Sequence, residues 1–263
     1  SGRVMQAMAN IALRAARQAS QNMLRAMDRL DVLKIEEKGR NDLVSEIDRE
    51  AELIIIEAIH RAYPDHGIRG EEHGAAFPDG EINWIIDPLD GTVNYLQGIP
   101  HFCISIGAMK GNQFEHGVIL DPTRNEEFVA SRGSGASLNG KRIRVTSKSR
   151  LDTAVISTGI PPGSVESGLD QYMDSLKYFT GQARGVRRLG SAALDLAYVA
   201  AGRLDAFFEP GLQPWDIAAG TLLVREAGGF VGDFEGGDNF MSSGNIVAAN
   251  PKLFKTMIQV LKT

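Results

Sequence analysis

The stretch WIIDPLDGTVN, residues 84–94, determines how the rest of this sequence is interpreted. Its short apolar run predicts a buried strand, and Asp87-Pro88 predicts the point where the strand's hydrogen-bond ladder stops. Asp90-Gly91 predicts a turn, because glycine adopts positive φ without steric cost. Two carboxylates and the backbone N–H groups of the turn therefore converge within a few residues.

This convergence of carboxylates has a chemical consequence. Two ionised carboxylates held this close repel each other, so a hard divalent cation is the natural group between them. The N–H groups of Gly91 and Thr92 are then placed to receive a phosphate that contacts the same cation. A bare Asp-Gly pair is more often an ordinary surface turn, but the complete string favours a metal and phosphate site.

Composition and charge limit the classes of protein. The chain has 263 residues, 43% of them hydrophobic, which suits one large domain or two closely packed halves, 3–150 and 151–263. The formal net charge is −5 and no dense Lys/Arg run occurs, which disfavours strong direct binding to nucleic acid. The single cysteine, Cys103, allows no intrachain disulfide and is predicted to lie in the core.

The sequence also bears on location. No stretch approaches the roughly 18 consecutive apolar residues that a membrane-spanning helix needs. The N-terminal residues lack the apolar block of a secretory signal. We therefore expect a cytoplasmic protein without a membrane segment.

Hydrophobic periodicity predicts alternating helices and strands. A meander of mainly antiparallel strands is predicted in the first half, and the region 67–82 is predicted to be irregular. Helices are predicted at residues 3–30, 45–62, 168–179, 190–202, 215–228 and after Pro251, and strands at 33–37, 82–87, 102–109, 117–120, 127–130, 154–158, 204–209, 230–233 and 246–249. This alternation predicts layered α and β elements.

Further acidic residues stand at predicted loops or element ends. Asp48 and Asp216 lie in the first turns of predicted helices, where a carboxylate interacts favourably with the helix dipole. Glu71 and Glu72 alone would suit a solvated acidic loop. Together with the central turn, these carboxylates predict a site for two or three Mg²⁺ ions.

Several sequence blocks resemble those of the inositol monophosphatase family, in the same order and with similar spacing. The blocks are Gly70-Glu71-Glu72, residues 84–92, residues 215–220, residues 41–48 and the predicted helix 190–202. They span nearly the whole chain, which makes the resemblance specific. It implies an α+β fold, a layered αβαβα sandwich of the inositol monophosphatase and fructose-bisphosphatase type. It also implies a Mg²⁺-dependent phosphomonoesterase acting on inositol 1-phosphate or a similar polyol phosphate, commonly a homodimer and inhibited by lithium.

The resemblance also implies roles for individual residues. Glu71, Asp87 and the Leu89 carbonyl would hold one Mg²⁺, while Asp87, Asp90 and Asp216 would hold a second and Glu71 a weaker third. Asp48, Thr92 and Glu71 would be catalytic, with Thr92 and Asp48 activating the attacking water. The residues implied next to the substrate are Asp90, Gly91, Thr92, Ser191, Ala192, Glu209 and Asp216. Lys38 is left without a role.

Residues 195–203 and 244–251 resemble the bacterial branch of the family in particular. Some members of that branch are linked to ribosomal RNA transcription through the antitermination machinery. The resemblance therefore implies an alternative function, a binding role in antitermination that acts through a protein partner. Sugar bisphosphatases, nucleotide 3′-phosphatases and histidinol-phosphate phosphatases share the metal blocks, so related substrates also remain open.

Overall fold

The computed structural model describes residues 2–28, 35–37, 43–160 and 168–262. Lys38 and the end of the first predicted helix lie outside this part of the chain. The helices are α1 Gly2–Met27, α2 Glu46–Ala62, α3 Thr92–Leu96, α4 Leu169–Gln182, α5 Ala192–Ala200, α6 Pro214–Glu226, α7 Phe240–Ser243 and α8 Pro251–Leu261. The strands are β1 Ile35–Glu37, β2 Leu43–Ser45, β3 Gly67–Gly70, β4 Gly74–Phe77, β5 Asn83–Asp90, β6 Cys103–Lys110, β7 Gln113–Asp121, β8 Glu126–Ser131, β9 Gly135–Leu138, β10 Lys141–Arg142, β11 Val155–Thr158, β12 Gly185–Arg187, β13 Ala206–Glu209, β14 Phe230–Gly232 and β15 Ile246–Ala249.

Two large sheets organise the chain. The first has eight strands in the order β10-β9-β8-β7-β6-β5-β3-β4, and its β5 to β10 section is the predicted antiparallel meander. The second has five strands in the order β12-β11-β13-β15-β14, with parallel and antiparallel pairs. A separate antiparallel pair joins β1 and β2.

Helices cover both faces of each large sheet and produce five layers. α1 and α2 pack together on one face of the eight-stranded sheet, while α5 and α6 lie between the two sheets. α4 and α8 cover the outer face of the five-stranded sheet. This αβαβα arrangement confirms the predicted fold class.

The cores of the layers explain why the chain folds in this way. α1 packs through small side chains such as Ala12, Ala16 and Ala19, which allow a close approach, and Met23 fills the space near its end. The central core combines residues from the first half, including the fully buried Cys103, with residues from α5, α6 and the second sheet. The two sheets therefore share one continuous apolar core.

One local prediction differs from the structure in this part of the chain. The region 67–82 is not irregular throughout, because β3 and β4 form an antiparallel pair there and β3 runs parallel to β5. Each of these two strands has four residues, which is too short to show a clear periodicity in the sequence.

Within the described residues, the helices are too short or too polar to cross a membrane.

Candidate functional site

Strand β5 carries two predicted site residues, and a bulge brings them together. Asp87 pairs with Ser105 and Asp90 with Cys103, so β5 has one residue more than β6 between these pairs. In a regular strand, residues three apart point to opposite faces, and a one-residue bulge places them on the same face. The prediction that Pro88 stops the ladder is wrong, because Pro88 lies in the bulge and β5 continues to Asp90. A bulge accommodates the missing N–H of proline.

The third carboxylate comes from the first turn of α6. The Gln213 N–H donates a hydrogen bond to Asp216 Oδ2 at 2.8 Å, which fixes the Asp216 side chain at the helix start. α6 lies unusually close to the sheet, since a Cβ at Gly117 would be 2.7 Å from the Ala219 carbonyl oxygen. Glycine at this position on β7 therefore lets α6 approach until Asp216 reaches the end of β5.

These three carboxylates form a compact acidic centre, defined as Asp87, Asp90 and Asp216. One carboxylate oxygen from each lies within 4.8 Å of the other two. Asp87 is 1% exposed and Asp90 9% exposed, and Asp216 is half-buried. Among the described residues, no other group of three His, Cys, Asp or Glu side chains has this geometry.

The electrostatics of the acidic centre are unfavourable without a counter-charge. Burial raises the pKa of all three carboxyls. The negative charges of neighbouring carboxylates raise the pKa of Asp87 further and bring that of Asp216 to about 7. A cation at the centre would oppose the effect of these neighbouring negative charges.

Glu71 lies beside the acidic centre, directly after β3. Its N–H donates to the Ile86 carbonyl at 3.1 Å, which ties the residue to β5. Its carboxyl shares a hydrogen bond with the Asp87 carboxyl. Burial, together with the charges of Asp216, Glu72 and Asp90, raises the pKa of Glu71 to about 8. The structure therefore brings the predicted ligand Glu71 into contact with Asp87.

The turn after β5 connects the acidic centre to the short helix α3. Gly91 precedes α3 with a φ of 94°, the left-handed conformation that the Asp-Gly turn predicted. The Thr92 hydroxyl donates to the Leu89 carbonyl at 3.1 Å, and the Leu89 N–H donates to Asp87 Oδ1 at 3.1 Å. These contacts fix the backbone between the two aspartates.

Asp48 lies in the first turn of α2 and is 2% exposed. Its carboxylate is close to the buried Tyr95 of α3, whose pKa is raised by burial and by the Asp48 charge. The Tyr95 hydroxyl donates to the Met23 carbonyl of α1 at 2.8 Å. Asp48 is therefore placed beside α3, the helix that begins with Thr92.

The N-terminus of α5 binds Asp90. The Ser191 hydroxyl donates to Asp90 Oδ2 at 2.5 Å and the Ala193 N–H donates to the same oxygen at 2.9 Å. Ser191 also caps α5 by accepting a hydrogen bond from the Leu194 N–H. Ala192, the first residue of α5, is 7% exposed. The Ser191 hydroxyl proton is therefore already engaged with Asp90.

Glu209 ends β13 and is 8% exposed. Burial raises its pKa well above the ordinary value, as do the charges of Asp195, Asp216 and Asp90, while Arg188 opposes the shift. A Cβ at Gly159 would overlap the Glu209 carboxylate, so the glycine leaves room for it. Glu209 thus lies on the second sheet, near enough to Asp90 and Asp216 for their charges to raise its pKa.

Three polar residues of this region were not predicted from the sequence. Asp195 is 1% exposed in the first turn of α5, and Arg188 acts on both Asp195 and Glu209. Glu52 is 0% exposed on α2 and accepts hydrogen bonds from the chain after Glu71. A signal for Glu52 exists, because it lies four residues after Asp48 and on the same helix face.

The donors of the acidic centre fit a hard divalent cation. All three side chains offer oxygen, which Mg²⁺, Mn²⁺ and Ca²⁺ prefer, and the centre contains no histidine or cysteine that would favour a softer metal. The mutual repulsion of the buried carboxylates is offset when a cation lies between them. The described residues therefore provide a suitable metal site.

Comparisons with known proteins identify the family of the chain. The chain is 50% identical over 262 residues to a Pseudomonas aeruginosa protein named Nus factor SuhB, covering 98% of this chain and 97% of the relative. It is 47% identical to the Nus factor SuhB of Escherichia coli, covering 97% and 95%. Among solved structures, the extragenic suppressor protein suhB of Bartonella henselae matches with a TM-score of 0.93 at 43% identity, covering 98% of this chain and 99% of that one.

A Thermotoga maritima protein titled IMPase has a similar structure, with a TM-score of 0.86 at 36% identity, covering 100% of this chain and 97% of that chain. The family model described as "Inositol monophosphatase family" matches residues 4–262. The match extends over both sheets and all the residues of the acidic centre. The chain belongs to the inositol monophosphatase family.

Proposed function

We propose that this protein is a Mg²⁺-dependent phosphomonoesterase that hydrolyses inositol 1-phosphate or a similar small polyol phosphate. The observation that carries the proposal is the convergence of Asp87, Asp90 and Asp216 beside the turn at Gly91-Thr92. Family membership supports a phosphatase. An all-oxygen centre of this kind suits a metal ion that bridges protein and phosphate.

The family resemblance implies how the metal ions would be shared among these residues. Glu71, Asp87 and the Leu89 carbonyl would hold one ion, and Asp87, Asp90 and Asp216 a second, with Glu71 also contributing to a weaker third. When bound, the ions would lower the pKa of a water molecule and stabilise negative charge on the leaving oxygen. Asp87 would contact two ions, consistent with its central position and 1% exposure.

The residues around the turn would position the phosphate and the water. The N–H groups of Gly91 and Thr92 would donate to phosphate oxygens. The Thr92 hydroxyl donates its proton to the Leu89 carbonyl, so its oxygen can accept a hydrogen bond from the attacking water. Asp48, buried beside α3, would accept the proton that this water loses.

The second half of the chain would recognise the alcohol of the substrate. Glu209 would accept hydrogen bonds from ring hydroxyl groups, and the Ser191-Ala192 turn would face the same alcohol. Because the Ser191 hydroxyl donates a hydrogen bond to Asp90, Ser191 would also orient a metal ligand. Asp90 and Asp216 would contact the substrate through the bound ions.

Phosphate release tests the proposal directly. Inositol 1-phosphate, fructose 1,6-bisphosphate and adenosine 3′,5′-bisphosphate would each be incubated with protein in Mg²⁺ and in chelator. We expect Mg²⁺-dependent release that is selective for the inositol ester. Selective release from another ester would keep the metal chemistry and change the substrate, whereas no release from any ester would contradict the enzymatic proposal.

A second candidate function is a role in ribosomal RNA transcription antitermination. Relatives 50% and 47% identical along almost the whole chain carry the name Nus factor. Because the net charge is −5, we expect contact with a protein of the transcription machinery rather than strong direct binding to RNA. This role would not require hydrolysis.

Affinity capture with purified transcription components separates the two functions. Wild type and Asp90→Asn would be compared for binding to RNA polymerase and its elongation factors. A binding role independent of catalysis predicts equal capture by both proteins. If neither wild type nor Asp90→Asn captures any component, the second candidate function is contradicted.

Family resemblance supports three further properties, namely a homodimer, inhibition by lithium and a cytoplasmic location. Sedimentation equilibrium tests the first, and LiCl titration of the phosphatase assay tests the second. Fractionation of the producing cells tests the third. A monomer at all concentrations, activity unaffected by lithium, or recovery outside the cytoplasm would contradict the respective property.

A further inference from the structure

Glu52 is a fully buried carboxylate, and its hydrogen-bond donors among the described residues belong to one turn. The Glu72 N–H donates to Oε1 at 3.1 Å and the His73 N–H donates to Oε2 at 2.7 Å. The His73 ring Nδ1 also lies 2.5 Å from Oε2. We name residues 71–73 the Glu71 turn, since Glu71 begins it. Glu52 therefore binds the two residues that directly follow Glu71.

The Glu71 turn is held from two sides. On one side, the Glu71 N–H donates to the Ile86 carbonyl of β5 at 3.1 Å, next to Asp87. On the other side, Glu52 accepts the next two backbone N–H groups. A hydrogen bond to an ionised acceptor is stronger than one between neutral groups. The position of Glu71 beside Asp87 is thus determined by a strand and by a buried side chain of α2.

The fit between Glu52 and the chain before the turn is close. A Cβ at Gly70 would lie 2.1 Å from Glu52 Oε1, so only glycine leaves space for the carboxylate there. On α2, Glu52 shares a helix face with the buried residues Asp48, Ile55 and Ile59. An apolar side chain would continue that face without desolvating a carboxylate, so hydrophobic packing alone does not account for Glu52.

We propose that Glu52 is a positioning residue for the metal centre, because it fixes the Glu71 turn in the arrangement that presents the Glu71 carboxylate to a divalent cation. This inference rests on the proposed metal-binding function. One helix, α2, then contributes to the site twice, through Asp48 beside α3 and through Glu52 beneath the Glu71 turn. Residues that orient metal ligands in this way commonly change metal affinity about 10- to 100-fold when they are replaced.

The test uses Glu52→Gln in the full chain, with Glu57→Gln as the matched control. Glu57 is an exposed glutamate on the same helix. Glutamine preserves the size of the side chain, but its NH₂ group cannot accept the hydrogen bonds that one carboxylate oxygen accepts. Mn²⁺ is the probe, and free Mn²⁺ is counted by its electron paramagnetic resonance signal during titration.

We expect Glu52→Gln to weaken Mn²⁺ binding by at least about 10-fold, with no change in Glu57→Gln. Hydrogen exchange of the metal-free proteins gives a second readout. The amides of Glu72 and His73 should exchange about 10-fold faster in Glu52→Gln, while the β5 amides keep their wild-type rates. A side chain that only stabilised the fold would raise exchange generally and leave the Mn²⁺ affinity of folded protein unchanged.

Each outcome decides one question. Wild-type Mn²⁺ affinity in folded Glu52→Gln would overturn the inference, even if activity fell. No Mn²⁺ binding by wild type would contradict the proposed metal function itself, and the exchange rates at Glu72 and His73 would still test whether Glu52 holds the turn. If Glu52→Gln does not fold, Glu52→Asp serves in its place, since it keeps the charge and withdraws the carboxylate by one methylene. Wild-type affinity in Glu52→Asp would then overturn the inference.

Discussion

Two acidic regions of this protein shift the pKa values of their carboxyls in opposite directions. In the loop after β14, Asp233 accepts the N–H groups of Glu235, Gly237 and Asn239 at 2.9, 2.9 and 3.0 Å. Burial alone would raise the pKa of Asp233, but these backbone donors outweigh burial and lower it. In the acidic centre, the neighbours of each carboxylate include other carboxylates, and the pKa values are raised.

This difference distinguishes a structural carboxylate from a carboxylate that is suited to binding a cation. Asp233 has its charge compensated by its own loop, so it needs nothing else to be stable as an anion. Asp90 has two donors, from Ser191 and Ala193. Asp87 and Asp216 each accept one backbone N–H, from Leu89 and Gln213, and their pKa values stay raised all the same. A divalent cation would supply that compensation.

The largest expected effect comes from removing one charge of the acidic centre. Asp90→Asn should reduce Mg²⁺-dependent phosphate release by more than about 100-fold, since even residues behind the ligands affect metal sites about 10- to 100-fold. The fold should survive, because repulsion among the carboxylates is reduced. Phosphate release and circular dichroism measure the two quantities. Full activity in this variant would show that Asp90 is not a ligand.

The raised pKa values predict an unusual pH dependence for the metal-free protein. Glu71 and Asp216 titrate at about 8 and about 7 in the folded protein, against ordinary values of 4.5 and 3.8. The folded state therefore binds more protons, and its stability falls as pH rises from the ordinary values through the raised ones. Thermal unfolding in chelator should show a falling Tm between about pH 5 and about pH 9. Saturating Mg²⁺ should flatten this slope.

A substitution of Asp233 in the loop should lower the stability of the protein and leave its activity unchanged, the opposite of the result expected for Asp90→Asn. Asp233→Ala removes the acceptor of three backbone N–H groups, which should lower the free energy of unfolding by about 1–3 kcal/mol. Phosphate release per folded molecule should be unchanged, because Asp233 lies outside the acidic centre. Urea unfolding and the phosphate assay measure both. A large loss of activity with intact stability would remove the distinction between the two regions.

The smallest expected effect concerns the donors of Asp90. Ser191→Ala removes the cap of α5 and should destabilise the protein by about 1 kcal/mol. It also removes one donor to Asp90, which should further raise the pKa of that carboxyl in the absence of metal. Urea unfolding at neutral pH tests the first effect. Unchanged stability would mean that Ser191 does not contribute as a cap.

Much of the site was predictable because its residues lie in short, specific stretches. The DPLDG string predicted converging carboxylates and a glycine with positive φ, and both are present. The layered α+β fold followed from alternating periodicities and from the family resemblance. These signals are local, so a single sequence contains them.

The parts that sequence reasoning missed depend on long-range contacts. The bulge at Pro88 exists only because β6 pairs on both sides of it, so Asp87-Pro88 alone suggested the end of a strand. No role was predicted for Glu52, because its donors lie about 20 residues further on, at Glu72 and His73. Short strands such as β3 and β4 carry too few residues for a periodic pattern.

A calorimetric titration of metal-free protein with Mg²⁺ at neutral pH, in two buffers of different ionisation enthalpy, tests whether the acidic centre binds a cation. We expect saturable binding with net release of protons, because a cation would displace protons from carboxyls of raised pKa. We also expect Asp90→Asn to weaken this binding and Asp233→Asn to leave it unchanged. Binding without proton release, equal binding by all three proteins, or no binding by wild type would show that the acidic centre is not a metal site of this kind.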